Sequence, residues 1–157
     1  MDTEKCIRVT MLFKKLSDLS YEQFHEHWAH THAPLCTKWM QRYGIVKYTQ
    51  NHIKKSLLKG LVDAVGWVKT ADYDGIADFY VRDLESFTNA IADDYYINVL
   101  VPDAGLFSDM SNCLLTVGED YLVVDDSKVI EKHQRDYRRI HIPGVCIERK
   151  KQDFLLD

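Results

Sequence analysis

The residues best suited to chemistry in this chain are histidines crowded into one short segment. Four of its seven histidines lie within positions 21–35. Histidine has an unperturbed pKa of about 6.5, so it can both accept and release a proton near neutral pH. The segment is therefore predicted to hold an acid–base group at His25, His27, His30 or His32.

A helical pattern selects among these histidines. Successive helix residues lie about 100° apart, and a stripe of about the same width faces a protein core. His30 points away from this stripe and is predicted to be solvated, while His27 lies at its edge. His25 and His32 are left as candidates that face the interior. The full stripe consists of Tyr21, Phe24, His25, Trp28, His32, Leu35 and Trp39.

Pro34 makes His32 the preferred candidate for a proton shuttle. Proline disfavours helix at the residue before it and removes a backbone hydrogen bond, so His32 is expected near a helix end or kink. A kink opens space and frees backbone groups that a substrate can contact. The alternative is that His32 is a core residue with one hydrogen bond to a carbonyl. That alternative is stronger for His25, which is kept as a reserve.

Metal ions and nucleotide cofactors have no recognisable motif in this chain. No two of the clustered histidines are four residues apart, and the H-E-x-x-H pattern of a zinc-binding helix is absent. Glycine-rich phosphate-binding patterns are absent as well. The sequence therefore predicts chemistry without a cofactor or a bound metal.

Hydrophobic periodicity predicts an α+β domain with the element order βαββαβ. This order is typical of the ferredoxin-like fold, an antiparallel sheet with two helices on one face. The 54–73 connection holds a possible short helix at Ser56–Val65, and a loop is predicted through Pro102, Asp103 and Gly105. The strands are predicted at Ile7–Phe13, Ile45–Ile53, Ile76–Arg82 and Glu119–Val124, and the main helices at Ser20–Gly44 and Asp83–Asp94.

The strands offer further polar candidates. Strand residues alternate between two faces, so Tyr48, Gln50 and His52 share one face with Val46, and Asp78 and Tyr80 share one face with Ile76. If both faces line one pocket, His52 and Asp78 could pair and orient His32 or the substrate. The alternative is an ordinary strand-end histidine and a solvated aspartate. The aromatic residues of these elements have two interpretations: they form flat walls of a pocket, or they simply belong to the core. They are Phe24, Trp28, Tyr48, and Phe79 or Tyr80.

Composition limits the class of partner. A net charge of −4 and a pI near 5.9 argue against nucleic acid or an anionic membrane, so a small molecule is expected. The four cysteines lack the spacing of a zinc site or a disulfide framework and are predicted to be reduced thiols. No segment resembles a signal peptide or a membrane span, so a cytoplasmic location is expected.

One domain over residues 1–126 and a C-terminal extension over residues 127–157 are predicted. The total length of 157 residues suits a single domain with a core. The extension differs in charge, since it holds eight Lys or Arg and five acidic residues, a net charge of +3. Its apolar residues around Pro143 and Gly144 predict that it packs on the domain or on a partner. A disordered end is the alternative.

Three motifs in the chain resemble the EthD domain family. The resemblance covers about residues 7–125 and implies membership of the dimeric α+β barrel superfamily. It therefore implies a homodimer in which each protomer keeps a pocket between its sheet and its helices. The motifs are Phe24-x-x-His27-Trp28-x-x-x-His32-x-Pro34-Leu35, Tyr48-x-Gln50-Asn51-His52 and Tyr73-Asp74-Gly75-Ile76-Ala77-Asp78-Phe79.

Within the family, the likeness is greatest to small fungal enzymes that tailor fused-ring aromatic polyketides. It implies a lyase that dehydrates a hydroxylated naphthopyrone or decarboxylates an anthrone-type carboxylic acid. Either reaction passes through an enol or enolate, which needs a donor for its oxygen and a group that moves a proton. We predict catalytic roles for His32, His52 and Asp78, and substrate contacts from Phe24, His25, Trp28, Tyr48, Asn51 and Tyr80.

Two other functional classes stay open on the sequence alone. A cofactor-free oxygenase of anthrones or quinols would use the same fold and a similar histidine, and it would consume oxygen. A non-catalytic protein that binds an aromatic ligand would show no turnover. In that case a His32→Ala variant would keep its ligand affinity.

Overall fold

The computed structural model of the protein describes residues 6–130. The chain divides into two compact units, one that ends at Tyr121 and one that begins at Leu122. The first unit contains a four-stranded antiparallel sheet with helices on one face, which confirms the predicted ferredoxin-like α+β fold. The strand order is β2-β3-β1-β4, with β1 at Ile7–Lys15, β2 at Lys47–His52, β3 at Gly75–Val81 and β4 at Ser108–Glu119.

The central strand β1 shows why this sheet forms. Its alternating residues place Val9 and Phe13 in the buried core. The strand pairs antiparallel with both β3 and β4, and its register sets Val9 opposite Phe79 of β3. Apolar side chains of neighbouring strands therefore meet on the face that the helices cover, where their contact stabilises the pairing.

The histidine-rich segment forms one continuous helix with a widened turn at its centre. Ser20 begins the helix through a capping box with Gln23, as the sequence predicts for Ser20. In the widened turn, the Ala33 N–H donates to the Trp28 carbonyl, five residues earlier. The segment comprises α1 (Tyr21–His27), a first π turn (Trp28–His32) and α2 (Ala33–Arg42).

The helix continues through Pro34, where the sequence predicts an end or a kink. Proline has no N–H, and in an α-helix its ring clashes with the carbonyl four residues earlier. A π turn moves that carbonyl aside, so the chain keeps its helical direction at the cost of one wider turn. A second π turn (Tyr96–Leu100) also ends two residues before a proline, Pro102. The same cause accounts for both turns.

The segment through Pro102 is helical, so the predicted loop there is wrong. It follows α4 (Leu84–Ile91), which is capped at its start by Asp83 as predicted. The side chain of Asp93 accepts from the backbone N–H groups of Tyr95 and Tyr96, which caps a new helix start. The second π turn and α5 (Val101–Ala104) then carry the chain to β4. This capping by Asp93 outweighs the turn-forming residues that follow.

The fourth strand also differs from its prediction, which placed it at Glu119–Val124. The strand β4 ends at Glu119, and its β-forming residues Leu114–Val117 pair with β1. In the second unit, Val124 belongs to a short hairpin of β5 (Val124–Asp125) and β6 (Lys128–Val129). Residues on both sides of position 120 thus form strands, but those that pair with β1 lie before this position.

The long connection between β2 and β3 contains α3 (Lys55–Val65), where the sequence predicts a short helix. Gly66 ends this helix at φ 75°, a left-handed conformation that favours glycine. No helix among residues 6–130 is both long and apolar enough to cross a membrane. Most of the predicted C-terminal extension lies outside the described residues, so its packing stays a prediction.

Gly75 permits a close approach between the sheet and the first π turn. A Cβ atom built on Gly75 would lie 2.9 Å from Phe13 Cε2 and 2.9 Å from Trp28 Cζ3. These two rings pack edge to face with centroids 4.8 Å apart, and Trp28 is almost fully buried. The missing side chain at Gly75 therefore lets Trp28 rest directly on β3.

Gly75→Ala is expected to lower the free energy of unfolding by about 1–3 kcal/mol, because the added methyl must displace Phe13 or Trp28. Gly118→Ala is the matched control in β4, since no described atom other than those of its chain neighbours lies within 4 Å of a Cβ there. It is expected to change stability by about 0.5 kcal/mol or less. Urea unfolding followed by tryptophan fluorescence measures both. Equal stability of the two variants would contradict tight packing at Gly75.

Candidate active site

A cavity lies between the sheet and the helices of the first unit. Its volume of about 70 Å³ is smaller than the roughly 300 Å³ or more of typical small-molecule pockets. A ligand larger than this volume can therefore enter only if wall side chains move outward. Few polar side chains reach the wall, among them His32, Cys36 and Tyr48. The aromatic part of the wall consists of Phe13, Trp28, Trp39, Phe79, Tyr96 and Phe107.

His32 is held in the cavity wall by a carboxylate. Its Nδ1 lies 2.7 Å from Oδ2 of Asp103, and each of the two side chains is only 13% exposed. Because an ionised carboxylate can only accept, Nδ1–H donates and Nε2 keeps a lone pair. Nε2 lies 3.4 Å from the sulfur of Cys36, which also lines the cavity. The helix therefore presents a base to the cavity.

Burial favours the neutral form of His32. The pKa of His32 is lowered from its ordinary value, chiefly by burial, while the hydrogen bond and charge of Asp103 oppose this shift. A neutral imidazole oriented by a carboxylate is a common arrangement for a general base. His32 can thus accept a proton near neutral pH, and Asp103 stabilises the imidazolium that results.

Asp103 binds two histidines of the same helix. Its Oδ1 lies 3.1 Å from His27 Nε2, and its Oδ2 contacts His32. The ring of Phe107 packs against both imidazoles, with centroids 5.1 Å away in each case. Within residues 6–130, no group of three or more His, Cys, Asp or Glu side chains is arranged to hold a metal ion. Asp103 therefore links α5 to the end of α1 and to the first π turn through hydrogen bonds.

Cys36 lies one helical turn beyond His32 and is buried. Burial raises the pKa of its thiol to about 12, so the sulfur stays protonated and unreactive as a nucleophile. A thiol is only a weak hydrogen-bond donor, so its contact with His32 Nε2 is easily displaced by a substrate. Cys36 thus fills the wall next to the base without competing for its role.

Tyr48 supplies a hydroxyl group on the sheet side of the cavity. Its ring packs on Phe79 with centroids 4.8 Å apart, and Gln50 Nε2 donates to its hydroxyl oxygen at 3.1 Å. Burial raises the pKa of Tyr48 to about 12, so the phenol keeps its proton. Tyr48 can therefore donate a hydrogen bond to an oxygen atom of a ligand.

Three of the predicted site residues line the cavity, namely Trp28, His32 and Tyr48. Phe24 lies in the core with no exposed surface. His25 and His52 contact each other through their Nδ1 atoms. Trp28 packs on His52 with ring centroids 4.4 Å apart, so these two histidines lie behind the wall and not in it. His30 is 71% exposed, as the helical pattern predicts.

The predicted pairing of His52 with Asp78 in one pocket is wrong. The register sets Tyr48 opposite Phe79 and His52 opposite Gly75. The odd-numbered residues of β3 therefore share the cavity face, and Asp78 points to the other face of the sheet. The prediction placed the even-numbered residues of β3 on the pocket face, whereas the observed pairing places the odd-numbered ones there.

The other face of the sheet holds three residues that were predicted for the site. Thr10 Oγ1 donates to the carboxylate of Asp78 there, and Arg8 lies 3.9 Å from the same carboxylate. Tyr80 and Asn51 follow the same alternation as Asp78 and lie on this face too. None of these three lines the cavity.

Sequence reasoning missed Asp103, Cys36 and Gln50. Asp103 is 71 positions from His32 and falls in a predicted loop, so nothing local connects the two. One signal was present, because Asp103 is the sole charged residue in the apolar segment 95–108. Gln50 entered only as a polar residue on one strand face and as a member of a motif, and Cys36 only as one of four predicted reduced thiols.

Comparison with known proteins places the chain in one family. The EthD domain profile matches residues 16–111, which is more than half of the sequence. The chain belongs to the EthD family. The motifs that resemble EthD proteins thus predicted the family correctly.

Sequence relatives of this EthD protein carry the names of lyases. Dehydratase aurZ of Gibberella zeae is 34% identical over 134 residues, which cover 83% of this chain and 86% of aurZ. Other fungal relatives are named dehydratases or decarboxylases. These names confirm the prediction of an enzyme of the dehydratase or decarboxylase type.

Solved structures support the fold of this EthD protein. An EthD family protein of Bacillus halodurans aligns with a TM-score of 0.53 and 22% identity, over 74% of this chain and 99% of that chain. A dimeric protein of unknown function with a ferredoxin-like fold, from Bacteroides fragilis, aligns with a TM-score of 0.50 and 8% identity over 74% and 97%. Likeness at this identity shows the fold alone.

Asp103→Asn in this EthD protein is expected to lower the pKa of His32 further. The hydrogen bond and the charge of Asp103 both raise that pKa, so their removal leaves the effect of burial unopposed. An NMR titration of the His32 ring measures the change. Asp94→Asn, an exposed substitution of the same kind, is the control and is expected to leave the His32 pKa unchanged. Identical titration of the two variants would mean that Asp103 does not act on His32.

Proposed function

We propose that this EthD protein is a cofactor-free lyase that removes water from a β-hydroxy ketone within a fused-ring aromatic polyketide, such as a hydroxylated naphthopyrone. One observation carries the proposal. A base, His32 Nε2, and a phenol donor, Tyr48, both line the same apolar cavity. Names of the relatives support the same class of reaction.

In the proposed reaction, His32 Nε2 accepts the proton from the carbon beside the ketone. The electron pair of that C–H bond forms an enolate, whose oxygen accepts a hydrogen bond from Tyr48. The enolate then returns to a ketone with a new C=C bond, and the C–O bond of the neighbouring hydroxyl breaks. The His32 imidazolium gives its proton to the departing oxygen, which leaves as water. No external acid or base is consumed.

The cavity suits this movement of charge. In an apolar site, a hydrogen bond to a developing oxyanion is worth more than it is in water. Asp103 stabilises the imidazolium of His32 while that ring carries the proton. Rings such as Trp28 and Phe107 provide flat walls for a planar substrate. Aromatisation of the product adds driving force to the elimination.

Decarboxylation of an anthrone-type carboxylic acid is the second candidate, because some relatives are named decarboxylases. There, the C–C bond to the carboxylate would break and its electron pair would form an enolate, which Tyr48 would hold until a protonated His32 gives it a proton. Two features favour dehydration. Burial lowers the pKa of His32, which disfavours a reaction that needs this ring protonated before it starts, whereas dehydration begins from the neutral ring. Among the described residues that line the cavity there is no Lys or Arg to pair with a buried carboxylate.

We also propose that two copies pair through the sheet. Leu114, Leu115 and Val117 of β4 are each more than half exposed, although they are large and apolar. Exposed apolar side chains on an edge strand are typically covered by a partner. The dimeric protein of similar fold supports this interpretation.

Light scattering tests the proposed pairing. It should give a particle mass twice the 18.3 kDa of one chain, and a monomer mass would exclude the pairing.

Anaerobic incubation decides the class of reaction. The purified protein is mixed with a hydroxylated naphthopyrone or with an anthrone carboxylic acid, and products are followed by mass spectrometry. We expect loss of water from the naphthopyrone. Loss of carbon dioxide from the acid alone would assign a decarboxylase, and turnover that requires air would assign an oxygenase. Binding without turnover of either compound would assign a carrier of aromatic ligands.

His32→Gln is expected to lower kcat by about 10²- to 10⁴-fold with little change in KM, because glutamine can hydrogen-bond but cannot take up the proton. His30→Gln is the matched control, since it makes the same change in the same π turn at a side chain that is 71% exposed. It is expected to keep the wild-type kcat. If His32→Gln turns over at the wild-type rate, His32 is not the base.

A further inference from the structure

A row of polar side chains leads from Tyr48 in the cavity wall towards the protein surface. Gln50 Nε2 lies 3.1 Å from the Tyr48 hydroxyl, and Gln50 Oε1 lies 3.0 Å from Nε2 of His52. Nδ1 of His52 contacts Nδ1 of His25. His25 in turn borders a surface pocket that is also lined by Tyr21, Lys54, Lys55 and Ser56. The reaction steps above use none of Gln50, His52 and His25.

The carbonyl of Trp28 determines the orientation of the Gln50 amide. Its oxygen lies 3.2 Å from Gln50 Nε2 and can only accept a hydrogen bond, so the amide nitrogen must face it. The second hydrogen of that nitrogen goes to Tyr48, and the amide oxygen faces His52. The reversed amide would set two carbonyl oxygens against each other, which leaves both unsatisfied.

The orientation of Gln50 in turn determines the tautomers of both histidines. Because Gln50 Oε1 only accepts, the Nε2 atom of His52 carries the hydrogen. Burial lowers the pKa of His52 to about 4, so this ring is neutral near pH 7 and its Nδ1 keeps a lone pair. The Nδ1 of His25 must then be the donor in their contact. Every hydrogen bond in the row points the same way, from His25 towards the cavity.

We propose that this one-way row of hydrogen bonds, from His25 through His52 and Gln50, keeps the proton of Tyr48 directed into the cavity. The Tyr48 oxygen already accepts from Gln50, so its own hydrogen is available to a substrate oxygen. Gln50 and His52 are therefore positioning residues that act through Tyr48, and no proton passes through the amide. The effect of this row on catalysis rests on the proposed function. The direction of its hydrogen bonds does not, because it is a property of the protein without substrate.

NMR of the free protein at about pH 8, where both histidines are neutral, tests this direction. Nitrogen-15 shifts distinguish the two tautomers of an imidazole, and His25→Gln and His52→Gln assign the signals. The expected result is hydrogen on Nε2 of His52 and on Nδ1 of His25. Gln50→Met should release His25 towards the Nε2–H tautomer that unrestrained imidazole prefers. Hydrogen on Nδ1 of His52 would overturn the proposal, whatever the substrate is.

Turnover of a hydroxylated naphthopyrone tests the catalytic consequence. Tyr48→Phe is expected to lower kcat by about 10²- to 10³-fold, and Gln50→Met by about tenfold, with KM little changed. In the Tyr48→Phe background, Gln50→Met should have no further effect, because Gln50 acts through the missing hydroxyl. Additive losses would overturn the proposal in favour of a packing role. Gln41→Met, at an exposed position of α2, is the control and should keep the wild-type kcat.

The two measurements separate this inference from the proposed function. Full turnover by Tyr48→Phe would remove Tyr48 from the proposed reaction and overturn the catalytic consequence. Tautomers as expected would in that case still support the direction of the row. Loss of turnover in Tyr48→Phe together with reversed tautomers would keep the reaction and refute the row.

Discussion

A single backbone hydrogen bond, from the Ala33 N–H to the Trp28 carbonyl, is the constraint on which the cavity depends. It spans five residues because Pro34 has no N–H to continue an α-helical ladder. The Trp28 carbonyl also accepts from Gln50, and the widened turn ends at His32. A covalent property of one proline therefore influences both walls, the base on the helix and the phenol on the sheet.

Electrostatics inside the cavity follow from burial. An isolated buried carboxylate is strongly unfavourable, but Asp103 is hydrogen-bonded to the imidazoles of His27 and His32. The same burial lowers the pKa of His32 and raises the pKa values of Cys36 and Tyr48. These groups of the wall are therefore held in their neutral forms. A reaction that moves one proton and forms a transient oxyanion matches that condition better than one that must bind a permanent charge.

The sheet separates two surfaces with different chemistry. On the cavity face, Ala77 and Phe79 of β3 meet Tyr48 of β2, and the surface is apolar. On the other face, Asp78 is bound by Thr10 and lies near Arg8, so its carboxylate is already satisfied by protein groups. The alternation of a single strand thus assigns neighbouring residues to different functions, and a register error of one residue exchanges them.

Local sequence was sufficient to predict the fold class and the helix cap at Ser20. It also predicted the inward direction of His32 and the shared strand face of Tyr48, Gln50 and His52. Periodicity and capping depend on residues a few positions apart, so the sequence contains them directly. Family motifs added the class of reaction. Tertiary structure alone decided that Asp103 meets His32 across 71 positions, that β4 is Ser108–Glu119, and that Asp78 faces away from the cavity. Strand register and long-range contacts arise from the packing of whole elements against one another. They therefore cannot be predicted from the residues that are neighbours in the sequence.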